Sequence, residues 1–111
     1  MTVVAAFLVP GSPLPYVRRD NPPWGALADA MDKAGKSLAD AQPDTLVVYS
    51  TQWIAVLDQL WQTRPHLVDV HVDENWHEYG ELPFDITIDT ELAEAAVTAT
   101  NEAGIKSKGV D

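Results

Sequence analysis

The chain has 111 residues, 46% of them hydrophobic and 22% charged, and this length suits a single domain with one core over residues 1–111. It has no cysteine, which excludes disulfides and thiolate chemistry and favours a cytoplasmic location. The formal net charge of −10 opposes binding to phosphate backbones and anionic lipid, so we expect no nucleic acid and no membrane as partners.

The first half of the chain has the pattern of a parallel βαβ unit. Residues 2–9 are a continuous apolar run that ends at Pro10, which is typical of a strand buried on both faces. A helix is predicted after a proline-rich loop, with Asn21 as its N-cap and its end at Gln42. Its apolar face has helical spacing: Trp24, Leu27, Met31, Ala34 and Leu38. Residues 45–50 are a second apolar run, expected to form a strand parallel to the first.

The second half is predicted to continue the alternation of strands and helices. The predicted elements are a short helix over residues 54–62, strands over 67–72 and 84–88, a helix over 91–103 and a strand within 105–111. Asp89 or Thr90 is the expected N-cap of the last helix, and Gly104 is its expected stop. The sequence therefore predicts an α/β fold with a mostly parallel sheet and flanking helices.

The loops after the first two predicted strands are where ligands bind in open parallel sheets. They contain Ser12 and Ser50, but no G-x-S-x-G motif and no neighbouring histidine, which disfavours a serine hydrolase. A second candidate segment, residues 71–78, is rich in acids and carries His71 and His77. It could supply ligands for a metal, although a solvated acidic loop with locally packed aromatics is the simpler interpretation.

Three stretches carry a resemblance to a known family: A-F-L-V-P-G-S-P-L-P over residues 6–15, residues 43–53, and H-V-D-E-N-W over residues 71–76. Together they resemble the N-terminal part of the class III extradiol ring-cleavage dioxygenases. The third stretch is most similar to the non-catalytic alpha subunits of two-subunit members. The resemblance implies the α/β fold of that family, with this chain as the N-terminal part of a larger fold.

In catalytic members of the family, one histidine after each of the first two strands and a distant glutamate hold Fe(II). In this sequence Gly11 and Gln52 stand at the two histidine positions, and the glutamate position falls beyond Asp111. Neither glycine nor a neutral amide replaces imidazole as an iron ligand. The resemblance thus implies a pseudoenzyme without a bound cofactor, partnered by a catalytic beta-type subunit that holds Fe(II) and opens a 2-aminophenol or catechol-like ring.

Two other interpretations stay open at this point. The chain could be an active Fe(II)-dependent oxygenase with other ligands, such as His71, Asp73 and His77, or a truncated product without function. The candidate side chains for lining a vestigial pocket are Ser12, Tyr16, Trp53, His71 and His77, together with Gln52, Arg18 and Arg19. For Tyr16, Arg18, Arg19 and Gln52, a surface or packing role is the simpler interpretation.

Overall fold

A computed structural model describes residues 2–50, 55–56, 58–72 and 80–111. The chain divides into two compact units, Met1–Gln52 and Trp53–Asp111. The first contains helices α1 (Leu14–Val17) and α2 (Trp24–Ala41), and the second contains strands β1 (Gln59–Gln62), β2 (His66–His71) and β3 (Leu82–Thr87), helix α3 (Thr90–Glu102) and strand β4 (Ser107–Val110). A mixed α/β architecture is thereby confirmed, whereas one domain over residues 1–111 stays a prediction.

Helix α2 confirms the amphipathic helix predicted for the first unit. Its predicted apolar face is half-buried along its length, and Ala28 beside it is 3% exposed. The helix ends at Gln42, whose φ of 48° lies in the left-handed region. The prediction that Asn21 is the N-cap was wrong, because Pro23 occupies the N-cap position and no side chain caps the helix. The Asn21 carbonyl accepts a hydrogen bond from the Gly25 amide at 3.2 Å.

The two apolar runs of the first unit do not form the predicted strands. Residues 2–9 and 45–50 have no strand structure and are mostly exposed; Leu8 is fully exposed at 102% and Val48 is 80% exposed. A strand buried on both faces needs hydrogen-bonded neighbours and apolar cover on each side. In the described part of this unit, the end of the first run and α2 line one small apolar cavity, and most side chains of the run stay exposed. The expected βαβ unit of the first half is therefore wrong.

A parallel strand pair does occur in the second unit, between β1 and β4. The register joins Gln59 to Ser107 and Gln62 to Val110, and α3 packs against both strands. The helix predicted over residues 54–62 is wrong at residues 59–62, which form β1, because the pairing with β4 overrides the helical spacing of a short apolar run. At this pair, Gly109 permits close approach, because a Cβ there would lie 2.8 Å from Thr63 Cγ2.

Strands β2 and β3 confirm the two strands predicted around residues 67–72 and 84–88, but they pair with each other in antiparallel fashion. They form a separate two-stranded sheet, and no other helix or strand of the described residues packs against it. Of the two described sheets, one is parallel and one is antiparallel, and a mostly parallel sheet stays a prediction.

The C-terminal helix and strand agree with the prediction. The Asp89 carboxylate accepts from the Leu92 amide at 3.0 Å and caps α3, and Gly104 follows the helix with a φ of 85°. Strand β4 lies within residues 105–111, and its first residue, Ser107, is 6% exposed. No helix in the described ranges is long and apolar enough to cross a lipid bilayer.

Candidate functional site

Two of the predicted site residues, Gly11 and Ser12, lie in the loop that follows the first apolar run. Gly11 is exposed, and Ser12 is half-buried. The Ser12 hydroxyl accepts from the Leu14 amide at 3.2 Å, next to Pro13, which is the N-cap of the short helix α1; the sequence did not predict this helix. This bond gives the Ser12 side chain a local structural role in the turn at the start of α1.

Tyr16 lies on α1 at the rim of a small cavity of about 80 Å³. Ala28, Met31 and the ion pair between Arg19 and Asp32 complete its lining. A second cavity of about 150 Å³ lies between the end of the apolar run and α2, and its lining is apolar throughout: Leu8, Val9, Pro10, Leu27, Ala30, Met31 and Ala34. Pockets that enclose small-molecule ligands are several times larger, about 300–1,000 Å³. Both described cavities are therefore smaller than typical small-molecule sites.

His71 is the last residue of β2, where its backbone is paired with Leu82, and its side chain is exposed. The other proposed ligands of this segment, Asp73 and His77, lie outside the described residues, as do Gln52 and Trp53. In the part of the chain that the structure does describe, no group of three or more histidine and acidic side chains is arranged to hold a metal ion.

The iron centre of the catalytic family members does not fit the described residues of this chain. Gly11, where the resemblance implies the first ligand position, has no side chain, and the adjacent Ser12 hydroxyl accepts from the Leu14 amide. An iron(II) site of the facial type needs two imidazoles and one carboxylate on one side of the metal. Gly11 itself supplies no ligand, and Gln52, at the other expected histidine position, lies outside the described residues.

A charge cluster that the sequence did not indicate lies at the start of the β1–β4 sheet. The Asp58 carboxylate, 6% exposed, is 2.9 Å from Lys108 Nζ and 3.4 Å from Lys106 Nζ. The hydrogen bond from Lys108 lowers the pKa of the Asp58 carboxyl below its ordinary value of 3.8; burial opposes this, and Lys106 adds to it. Lysines two residues apart on a strand share a face, which is the one signal in the sequence for this cluster.

A second unpredicted pair lies on the β2–β3 hairpin, where His66 Nε2 is 2.7 Å from Asp85 Oδ1. Both side chains are more than half exposed, so water screens the interaction. A lone exposed histidine–carboxylate pair has neither the nucleophile nor the sheltered pocket that hydrolytic chemistry requires.

Comparison with known proteins gives a match that extends along the whole of this chain. The chain is 51% identical over all 111 residues to the 2-aminophenol 1,6-dioxygenase alpha subunit of a Pseudomonas species. The chain is homologous to that subunit. This confirms the resemblance to which the sequence motifs pointed. No family model matches the chain.

The beta subunit of 2-aminophenol 1,6-dioxygenase, also from Pseudomonas, is 28% identical over 115 aligned residues that include 96% of the chain. The matched region spans 41% of the alpha subunit and 37% of the beta subunit. The chain is therefore similar to both subunits of one enzyme, with almost twice the identity to the alpha subunit.

Proposed function

We propose that this chain is a non-catalytic, alpha-type component of a two-subunit extradiol dioxygenase of the 2-aminophenol or catechol type. A catalytic beta-type subunit of related fold would hold Fe(II) and open the aromatic ring. The observation that carries the proposal is the 51% identity to an alpha subunit along the whole chain.

The residues at the expected metal position support a non-catalytic role. Gly11 stands where catalytic members carry their first histidine, and a glycine cannot coordinate iron through a side chain. Gln52 stands at the second histidine position, and an amide oxygen is a weaker ligand for Fe(II) than imidazole. A chain that lacks both imidazoles relies on its partner for the metal.

The small size of the two cavities near the Gly11 loop agrees with a non-catalytic role for this chain and a catalytic role for the beta-type subunit. At about 80 and 150 Å³ the cavities are smaller than the pockets that typically enclose small-molecule ligands. The role of the chain would thus be to stabilise a beta-type subunit of related fold. The matched region spans under half of each relative, and we propose the same substrate class and a beta-type partner for this chain.

Native mass spectrometry of the chain, prepared anaerobically with Fe(II), tests the proposal directly. The chain is measured alone and after co-expression with a beta-type subunit. We expect a metal-free chain when it is alone, and a hetero-complex with iron in the beta-type subunit when both are present. One iron per chain in the absence of a partner contradicts the proposal, and so does a chain that never enters a complex.

Oxygen consumption with 2-aminophenol supplies the matching activity measurement. The chain alone is expected to consume none, while the co-expressed pair is active. If the chain alone binds iron and is active, the His71→Ala variant decides whether the alternative ligand set in residues 71–78 is responsible: loss of iron in that variant would establish it, with His66→Ala as the control on the same strand.

A further inference from the structure

We draw no further inference here: the strongest candidate, the exposed apolar surface of the β2–β3 hairpin around Val68 and Val70, has no helix or strand of the described residues packed on it, and nothing in the structure shows what covers it.

Discussion

The side chain of Asn101, in the last turn of α3, makes two hydrogen bonds with the backbone of Ser107 at the start of β4. Its Oδ1 accepts from the Ser107 amide at 3.0 Å, and its Nδ2 donates to the Ser107 carbonyl at 3.0 Å. The same Nδ2 is 2.8 Å from the Val97 carbonyl within the helix. One amide therefore joins the end of α3 to the strand that pairs with β1.

Asn101→Ala should destabilise the β1–β4 sheet. The change leaves the part-buried backbone groups of Ser107 without partners, which costs about 1–3 kcal/mol of the free energy of unfolding. Amide hydrogen exchange provides the measurement, because the Gln59 and Thr63 amides donate across the β1–β4 pair. Thr98→Ala is the control, since this exposed hydroxyl bonds only within its own helix. Unchanged exchange of Gln59 and Thr63 in Asn101→Ala would contradict the proposed joint.

The N-cap of α3 should depend on Asp89. Asp89→Ala removes the acceptor of the Leu92 amide, and loss of an N-cap typically costs about 0.5–2 kcal/mol. Chemical unfolding followed by circular dichroism at 222 nm should show the loss. Asp89→Ser keeps an acceptor at the same position and should recover most of the stability. Equal destabilisation by both variants would show that the capping bond is not what stabilises the helix start.

Gly104 and Gly35 should respond to alanine in opposite directions. Gly104 has a φ of 85°, where a Cβ is strained although no atom lies within 4 Å, so Gly104→Ala should cost about 1 kcal/mol. Gly35 lies inside α2 and also has open space around its Cβ, so Gly35→Ala should gain up to about 1 kcal/mol. Thermal unfolding of both variants measures the two signs. A gain at Gly104 would refute the left-handed conformation.

The Asp58 cluster should make the second unit sensitive to acid. Because Lys108 and Lys106 lower the pKa of Asp58 in the folded state, the ionised carboxylate stabilises that state above the ordinary pKa of 3.8. This contribution is lost as the pH falls from 3.8 through the lowered pKa. Urea unfolding between pH 6 and 2 should therefore show a smaller acid-induced loss for Asp58→Asn than for the parent chain.

Two lysine variants test which contact dominates at Asp58. Lys108→Gln removes the 2.9 Å contact and should reduce the acid-induced loss more than Lys106→Gln, which removes the 3.4 Å contact. Asp85→Asn, on the exposed hairpin pair, is the control for a general change in charge. If Asp58→Asn and the parent chain lose stability in parallel, the cluster makes no contribution.

The proposed function predicts that histidines at positions 11 and 52 give the chain affinity for iron. The double variant Gly11→His with Gln52→His introduces the imidazoles that catalytic relatives carry, and should bind Fe(II) at least about tenfold more tightly than the parent chain under anaerobic titration. A double variant with Ser12→His in place of Gly11→His introduces the same number of histidines, one of them at a neighbouring position. Equal gains in both variants would remove the support that Gly11 and Gln52 give to the assigned ligand positions.

Helices α2 and α3 could be predicted from the sequence because their signals are local. In α2 the apolar residues recur from Trp24 to Leu38 at helical spacing, and in α3 the cap Asp89 and the stop Gly104 flank the helix directly. Each signal lies within a few residues of the element that it specifies. Among the caps and stops predicted for these two helices, only the Asn21 N-cap was wrong.

The strands show why the remainder was not predictable. Strand β1 has a sequence compatible with a short helix, and only its pairing with β4 far along the chain makes it a strand. Residues 2–9 show the converse, since their composition favours a buried strand and the described residues do not pair them with one. The Asp58–Lys108 contact depends on the same distant pairing, so the charge cluster could not be found before the fold was known.

The exposed run over residues 45–50 has a consequence for the behaviour of the chain in concentrated solution. Its sequence, T-L-V-V-Y-S, contains no charge, no proline and no glycine, and the side chains from Leu46 to Tyr49 are exposed. Such a segment can stack in register with its own copies into cross-β fibrils. The lag time before a solution of the isolated chain becomes turbid should shorten steeply as its concentration rises. Val48→Lys should lengthen this lag time.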